Sequence, residues 1–170
     1  LAPFRGLLHD LEREGIDIAI RWGKGDWTDM RIEPLFSCPA FATAAPVVAV
    51  QIERMRLERN LQQTMLLEDR DGSTAWAEWL AEAGLPNLIH LGSLTIPDPN
   101  VRVQAVLDGQ GIAINDHPVQ PEIDAGTLCR ISELEMSNYG FHLAIPADAV
   151  SNPNVAALVE WLKSSSEPDS

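Results

Sequence analysis

Two cysteines, one tyrosine, and 12 Lys and Arg against 25 Asp and Glu mark what this 170-residue sequence has little of. Cys38 and Cys129 stand far apart and lack metal-site spacing. They read as buried thiols of a reducing compartment, with one disulfide left open. The formal net charge of -13 argues against this segment gripping phosphate backbones by itself, since such binding rests on basic patches. A basic segment elsewhere in a longer gene product is compatible with it. No run approaches the roughly 18 apolar residues of a membrane span, and no secretory leader pattern is present. The chain starts at Leu1 and enters an amphipathic segment almost at once, which reads as a fragment of a longer chain. Catalytic signatures are missing as well: no Gly-x-Ser-x-Gly elbow, no His-Glu-x-x-His and no phosphate loop. The expectation is a protein that is not an enzyme and carries no cofactor and no metal.

What is there is a normal apolar content of 45%, enough for one domain or two small lobes. The run Gly15-Ile16-Asp17-Ile18-Ala19-Ile20-Arg21-Trp22-Gly23 carries the most information. It is an apolar strand ending in a Trp-Gly turn. In open α/β sheets, ligands bind outside the carboxyl ends of strands, where Trp22 and Gly23 stand. Gly109-Gln110-Gly111-Ile112-Ala113-Ile114-Asn115 repeats that logic far downstream. Its Gly-x-Gly lacks a third glycine and precedes a strand, so it is not a dinucleotide fingerprint.

Hydrophobic periodicity orders the rest. Residues 4–14 have helical spacing, and 16–20 read as a buried parallel strand. Residues 23–28 read as a loop, and 31–36 and 40–44 as strands punctuated by Pro34, Pro39 and Pro46. A mixed loop and short helix covers 47–60, its charged run at 53–59 a solvated face. A strand at 65–68 precedes a helix at 74–83, with Ser73 as N-cap and Gly84 as C′ residue. Then come a strand at 89–94, a helix at 101–107 capped by Asn100, and a strand at 112–114. A short helix or turn at 119–125, a segment at 127–131, a strand at 139–145 and a helix at 154–163 complete the chain. Val155, Leu158, Val159 and Leu162 share one face of that last helix. This alternation predicts an α/β fold with a largely parallel sheet.

Few residues are placed for chemistry. Of His9, His90, His117 and His142, none is spaced with another His or Cys as a metal pair. His117 follows the strand at 112–114 and is placed to face a ligand, the alternative being an ordinary surface histidine. Trp22 and Trp27 bracket the loop after the first strand, as pocket lining or as a cap on a core edge. Trp76, Trp79 and Trp161 are expected in packing. Two helix starts, Gly72-Ser73-Thr74 and Asp98-Pro99-Asn100-Val101, offer free N–H groups to an anion, or are simply capped. Asp98 works against an anion there and favours a ligand ammonium.

Taken in order, these motifs resemble a family. The strand at 15–23 is similar to the Asp-Leu-Ala-Ile-Arg-(Tyr/Trp)-Gly strand of LysR-type transcriptional regulators, in the subgroup of the glycine-cleavage and β-lactamase regulators. Trp76-Ala77-Glu78-Trp79-Leu80-Ala81-Glu82-Ala83-Gly84 resembles that subgroup's Trp-x-x-Trp-Leu-x-x-x-Gly helix. Residues 103–114 resemble its Ala-x-x-x-Gly-x-Gly-(Ile/Val)-Ala element. Phe141-His142-Leu143-Ala144-Ile145-Pro146 and residues 155–162 resemble its returning strand and last helix. Ala44-Ala45-Pro46 departs from the usual Cys/Ser-Pro.

The resemblance implies two Rossmann-like lobes of the periplasmic-binding-protein type joined by two crossover strands. Lobe I would be 1–41 and 142–170, lacking its first strand and helix and so leaving a sheet edge exposed. Lobe II would be 42–141. It implies an effector-sensing domain that takes a small polar metabolite between the lobes and changes dimer geometry by hinge motion. Trp22 and Gly23 would meet the ligand from lobe I, and Thr95, Pro97, Asp98 and His117 from lobe II. The protein would be a cytoplasmic homo-oligomer without membrane contact, touching DNA only through an N-terminal helix-turn-helix outside this segment. The alternatives are a periplasmic-type solute-binding protein, which shares the two-lobe architecture, and an enzyme of related fold, for which no acid-base pair is in place.

Overall fold

The computed structural model describes residues 11, 13–54, 57–70 and 73–166. The helix expected over 4–14, with His9, lies almost wholly outside them, as do Asp71, Gly72 and part of the charged run at 53–59. The chain divides into two compact units, Leu1–Pro39 with Ser137–Ser170, and Ala40–Met136. The changeovers fall a few residues ahead of the expected lobe boundaries. No helix among the described residues is long and apolar enough to cross a membrane.

In the first unit, β1 (Ala19–Gly23) and β2 (Met30–Ser37) flank β8 (Gly140–Pro146). Both pairings are antiparallel, so the parallel sheet expected from the alternation does not extend here. The reason is connectivity. The central strand arrives from the far end of the sequence and runs between two neighbours it does not follow by a helical crossover. The buried strand expected over 16–20 is displaced toward the C-terminus and lies on a sheet edge. Ile16, ahead of β1, is 37% and Ile20 50% exposed, so this segment does not bury both faces as a central parallel strand would.

Leu143, Ile145, Ala149, Val155 and Val159 form the core of this unit, with Ile18, Leu35 and Leu162 packed on it. Val155 and Val159 come from α6 (Pro153–Ser166). Two expectations for this helix fail: Leu158 is 39% and Trp161 62% exposed. Its apolar stripe is narrower than the sequence suggests, since only one face meets the sheet. The buried Glu33 of β2 is met by Lys163 of α6 and by Arg31. The hydrogen bond from Lys163 holds the Glu33 carboxyl below its ordinary value, helped by the charges of Lys163 and Arg31 and opposed by burial.

The second unit carries a five-stranded sheet made of β3 (Phe41–Ala44), β4 (Met65–Glu68), β5 (Gly92–Thr95), β6 (Ile112–Asn115) and β7 (Cys129–Arg130). Its order is β5-β4-β6-β3-β7. β4 pairs in parallel with β5 and β6, while β3 is antiparallel to β6 and β7. The sheet is therefore mixed, with the expected parallel character confined to three strands. Helices α1 (Pro46–Arg54), α2 (Leu57–Leu61), α3 (Ala75–Glu82), α4 (Pro99–Leu107) and α5 (Gln120–Asp124) connect them, with a 3-10 turn at His117–Val119. Phe41, Leu67, Val106, Ala113, Val119 and Leu128 form its core. Trp76 and Trp79 pack edge to face, 5.7 Å apart, as expected of them. Trp76 Nε1 also donates to the Leu67 carbonyl at 3.0 Å.

Some local expectations shift. Gly84 follows α3 at φ +76, with Leu85 N bonded to Leu80 O and Gly84 N to Ala81 O, the expected C′ motif. Thr74, not Ser73, holds the cap position of α3, without a side-chain cap bond. The strand expected at 89–94 is confined to β5, and Ile89 is 83% exposed. Cys38 is buried and Cys129 partly so, neither in a disulfide.

β6 approaches β4 closely because Gly111 has no side chain. A Cβ there would lie 2.5 Å from the Met65 carbonyl oxygen and 3.1 Å from the Leu67 side chain. Gly111→Ala is therefore expected to destabilise the protein by about 1–3 kcal/mol in urea unfolding. Glu33 gives a pH-dependent outcome. Its folded value is depressed, so its stabilisation is present above the ordinary 4.5 and lost as pH falls through the lower folded value. Glu33→Gln should lower the urea midpoint at pH 7, and the gap from wild type should close on acidification.

Candidate functional site

The parallel strands aim three exits at one edge of the second unit. Glu68 is level with Thr95 across the β4–β5 pair, and Leu67 with Ala113 across β4–β6. The Ile96 N–H, just past β5, bonds the Glu68 carbonyl at 2.8 Å. The chain passes from β4 to β5 on one side, then crosses to β6 on the other, which makes β4/β6 a topological switch point. Its exits carry Glu68 and Asp69 on β4, and Asn115, Asp116 and His117 on β6.

Four of the predicted site residues stand at these exits. Thr95 is half-buried at the end of β5, while Pro97 and Asp98 are exposed in the turn that follows. His117 is exposed and opens the 3-10 turn after β6. Asp98 has a structural task as well. Its Oδ1 accepts the Asn100 N–H at 2.9 Å and the Val101 N–H at 3.1 Å. It, rather than the expected Asn100, caps α4, because the extended backbone at Asp98 lets the carboxylate reach back over the first turn. The carboxylate thus occupies the donors that an anion would need. The other expected anion position, around Gly72, lies outside the described residues.

Trp22 and Gly23 belong to the first unit. Trp22 is half-buried; its Nε1 donates to the Cys38 carbonyl at 3.0 Å, and its ring lies 4.9 Å from that of Tyr139. Much of the indole is therefore spent on structure. Gly23 lies under Trp27, whose ring would meet an added Cβ at 2.9 Å. Trp27 in turn stands edge-on to His142 at 5.9 Å. His142 Nδ1 donates to the Gly140 carbonyl at 3.1 Å, which holds the imidazole beneath the loop at 23–28.

Sequence reading missed three features of the strand exits. Asn115 Nδ2 donates to Thr43 Oγ1 at 2.7 Å, both residues buried, joining β6 to β3. Asp69 and Asp116 flank the exits. Arg102, on α4, is buried and donates to the Ile96 carbonyl at 2.7 Å. Burial pushes its guanidinium value down, and the charges of Asp69, Asp116 and Asp98 push it back up. The available signal was the Asp98–Arg102 spacing, which puts both on one face of a helix. Among the described residues no group of three or more His, Cys, Asp or Glu could hold a metal ion.

A family model described as the LysR substrate binding domain matches residues 4–167. The glycine cleavage system transcriptional activator of Escherichia coli (strain K12) is 26% identical over 152 residues, covering 88% of this chain and 49% of that protein. The HTH-type transcriptional activator AmpR of Rhodobacter capsulatus is 28% identical over 155 residues, covering 90% and 52%. The chain spans about half the length of these relatives. The solved effector domain of the transcriptional regulator AmpR of Pseudomonas aeruginosa is similar with a TM-score of 0.72 at 25% identity, covering 92% of this chain and 75% of that one.

The two cap assignments for α4 separate by mutation. Asp98→Ala should cost about 0.5–2 kcal/mol in chemical unfolding, whereas Asn100→Ala should change it by a few tenths at most.

Proposed function

The chain belongs to the LysR substrate-binding domain family, and we propose that it serves as the sensing part of a transcription regulator, binding a small polar metabolite and passing the event to DNA-binding segments outside these 170 residues. The observation that carries this reading is the family match across residues 4–167. The relatives are transcription activators, which favours sensing over turnover and supports a cytoplasmic location. The family also supports a homo-oligomer. DNA contact by this acidic segment itself is not part of the reading, given its formal net charge of -13.

The effector-facing residues would be Thr95, Pro97, Asp98 and His117 in the second unit, with Trp22 and Gly23 the candidates of the first. Strand exits at a topological switch point support those of the second unit. Trp22 keeps one face for structure, so its contribution would be stacking rather than hydrogen bonding, its indole N–H being already engaged. Around the exits, Asp69, Asp98 and Asp116 stand near two guanidiniums, Arg102 and the Arg70 that bonds Asp69 at 3.0 Å, so acids still outnumber cations. That balance supports a ligand presenting an ammonium group.

The test is a thermal-shift series of this chain against the proteinogenic amino acids, purines and cell-wall fragments. A true effector at a hundredfold excess over its Kd adds about 2.7 kcal/mol of stability. His117→Ala, an exposed change, should weaken that response without lowering the unliganded melting temperature. A response untouched by His117→Ala, Thr95→Val and Trp22→Phe together would move the site elsewhere, and consumption of the ligand would make the protein an enzyme.

A further inference from the structure

We propose that Arg102 is a positioning residue for the effector site, pinning the turn Ile96-Pro97-Asp98 so that Thr95, Pro97 and Asp98 are held in place. This rests on the reading above that those residues meet the effector. The argument starts from how poorly the position suits a cation. Arg102 is only 8% exposed, and burial disfavours its charge. It stands at the end of the first turn of α4, close to the positive end of the helix dipole, which disfavours it again. Its neighbours on the helix include Val103 and the fully buried Val106. A leucine or methionine would fill the same space without either cost.

What the guanidinium supplies is a bond that no apolar side chain makes. It donates to the Ile96 carbonyl at 2.7 Å, while the Ile96 N–H is held by the Glu68 carbonyl at 2.8 Å. The residue after β5 is thus fastened on both sides, once to the neighbouring strand and once to the helix that follows. The turn between those two fastenings is the one that carries Pro97 and Asp98. The charge has a second task. Asp69, Asp98 and Asp116 all act on Arg102, and they come from the exits of three different strands. Asp69 is also bonded by Arg70 at 3.0 Å, so the charge of Arg102 bears most on the turn that its own hydrogen bond holds. A lysine would keep the charge but lose the planar fork that bonds a carbonyl while serving carboxylates on other sides.

Wild type, Arg102→Met and Arg102→Lys are compared by three measurements: unliganded melting temperature, amide hydrogen exchange across 95–101 and 112–115, and melting shift with each proteinogenic amino acid. Arg102→Met is expected to melt within about 4 °C of wild type. Exchange across 95–101 should accelerate by about tenfold, the size of one charge-assisted hydrogen bond, with 112–115 unchanged. Arg102→Lys should fall between the two. Any amino acid that shifts wild type should bind Arg102→Met at least about tenfold more weakly. Unchanged exchange across 95–101, equal acceleration of 112–115, or a wild-type affinity retained in Arg102→Met would each overturn the proposal. If no amino acid shifts wild type, the amine-effector reading fails alone, and the exchange comparison still decides Arg102.

Discussion

The close approach of β6 to β4 is the constraint on which the second unit depends. With glycine at position 111, the start of β6 lies against the Met65 carbonyl, and that fixes the height at which β6 leaves the sheet. The pairing of Glu68 with Thr95 fixes the exit of β5 relative to β4. Once both are set, Asp69, the turn at 96–98 and Asp116 are neighbours whatever their own side chains prefer. The Thr43–Asn115 bond then joins the antiparallel part of the sheet to the parallel part. A polar pair buried this deeply loses its water and must keep its geometry, so it works as a register pin as well as a bond.

Buried charge is handled in two opposite ways. Glu33 is one acid answered by two cations, one of them from the final helix, and the result ties α6 to β2 across most of the sequence. Arg102 is one cation answered by three acids, within a chain already rich in acid. The first arrangement is a clamp between elements of one unit and removes charge from its core. The second gathers acids from three strand exits around one buried guanidinium, with Arg70 bonded to Asp69 beside it.

The short apolar runs at 65–68 and 112–114 were legible because a buried parallel strand shows as an unbroken hydrophobic stretch. The C-terminus of α3 was legible because a glycine after a helix has a local cause. What escaped was set by partners distant in sequence. Nothing in residues 16–20 says that, among the described residues, β1 pairs with β8 alone, so an edge strand looked like a central one. Trp161 looked like core because its type is usually buried, yet only one face of α6 meets a sheet. Asn100 has the residue type that favours a cap, while Asp98 has the extended backbone that makes one. At the candidate site, strand ends suggest Trp22, Gly23 and His117, while Thr95, Pro97 and Asp98 come with the family resemblance. Arg102 was missed although Asp98 lies four residues before it, because its other partners, the Ile96 carbonyl, Asp69 and Asp116, are set by the fold.

The loop at 23–28 and the returning strand share one more dependence. Gly25 has φ +75, and a Cβ there would fall 2.6 Å from His142 Nε2, so glycine and imidazole occupy one volume between them. Gly25 is thus held twice, by the ring beside it and by a positive φ that a Cβ would strain even if the ring were gone. Shrinking the side chain at 142 would therefore open a void beneath the loop without releasing residue 25 to change, and the surface that the first unit presents beside Trp27 keeps its backbone turn.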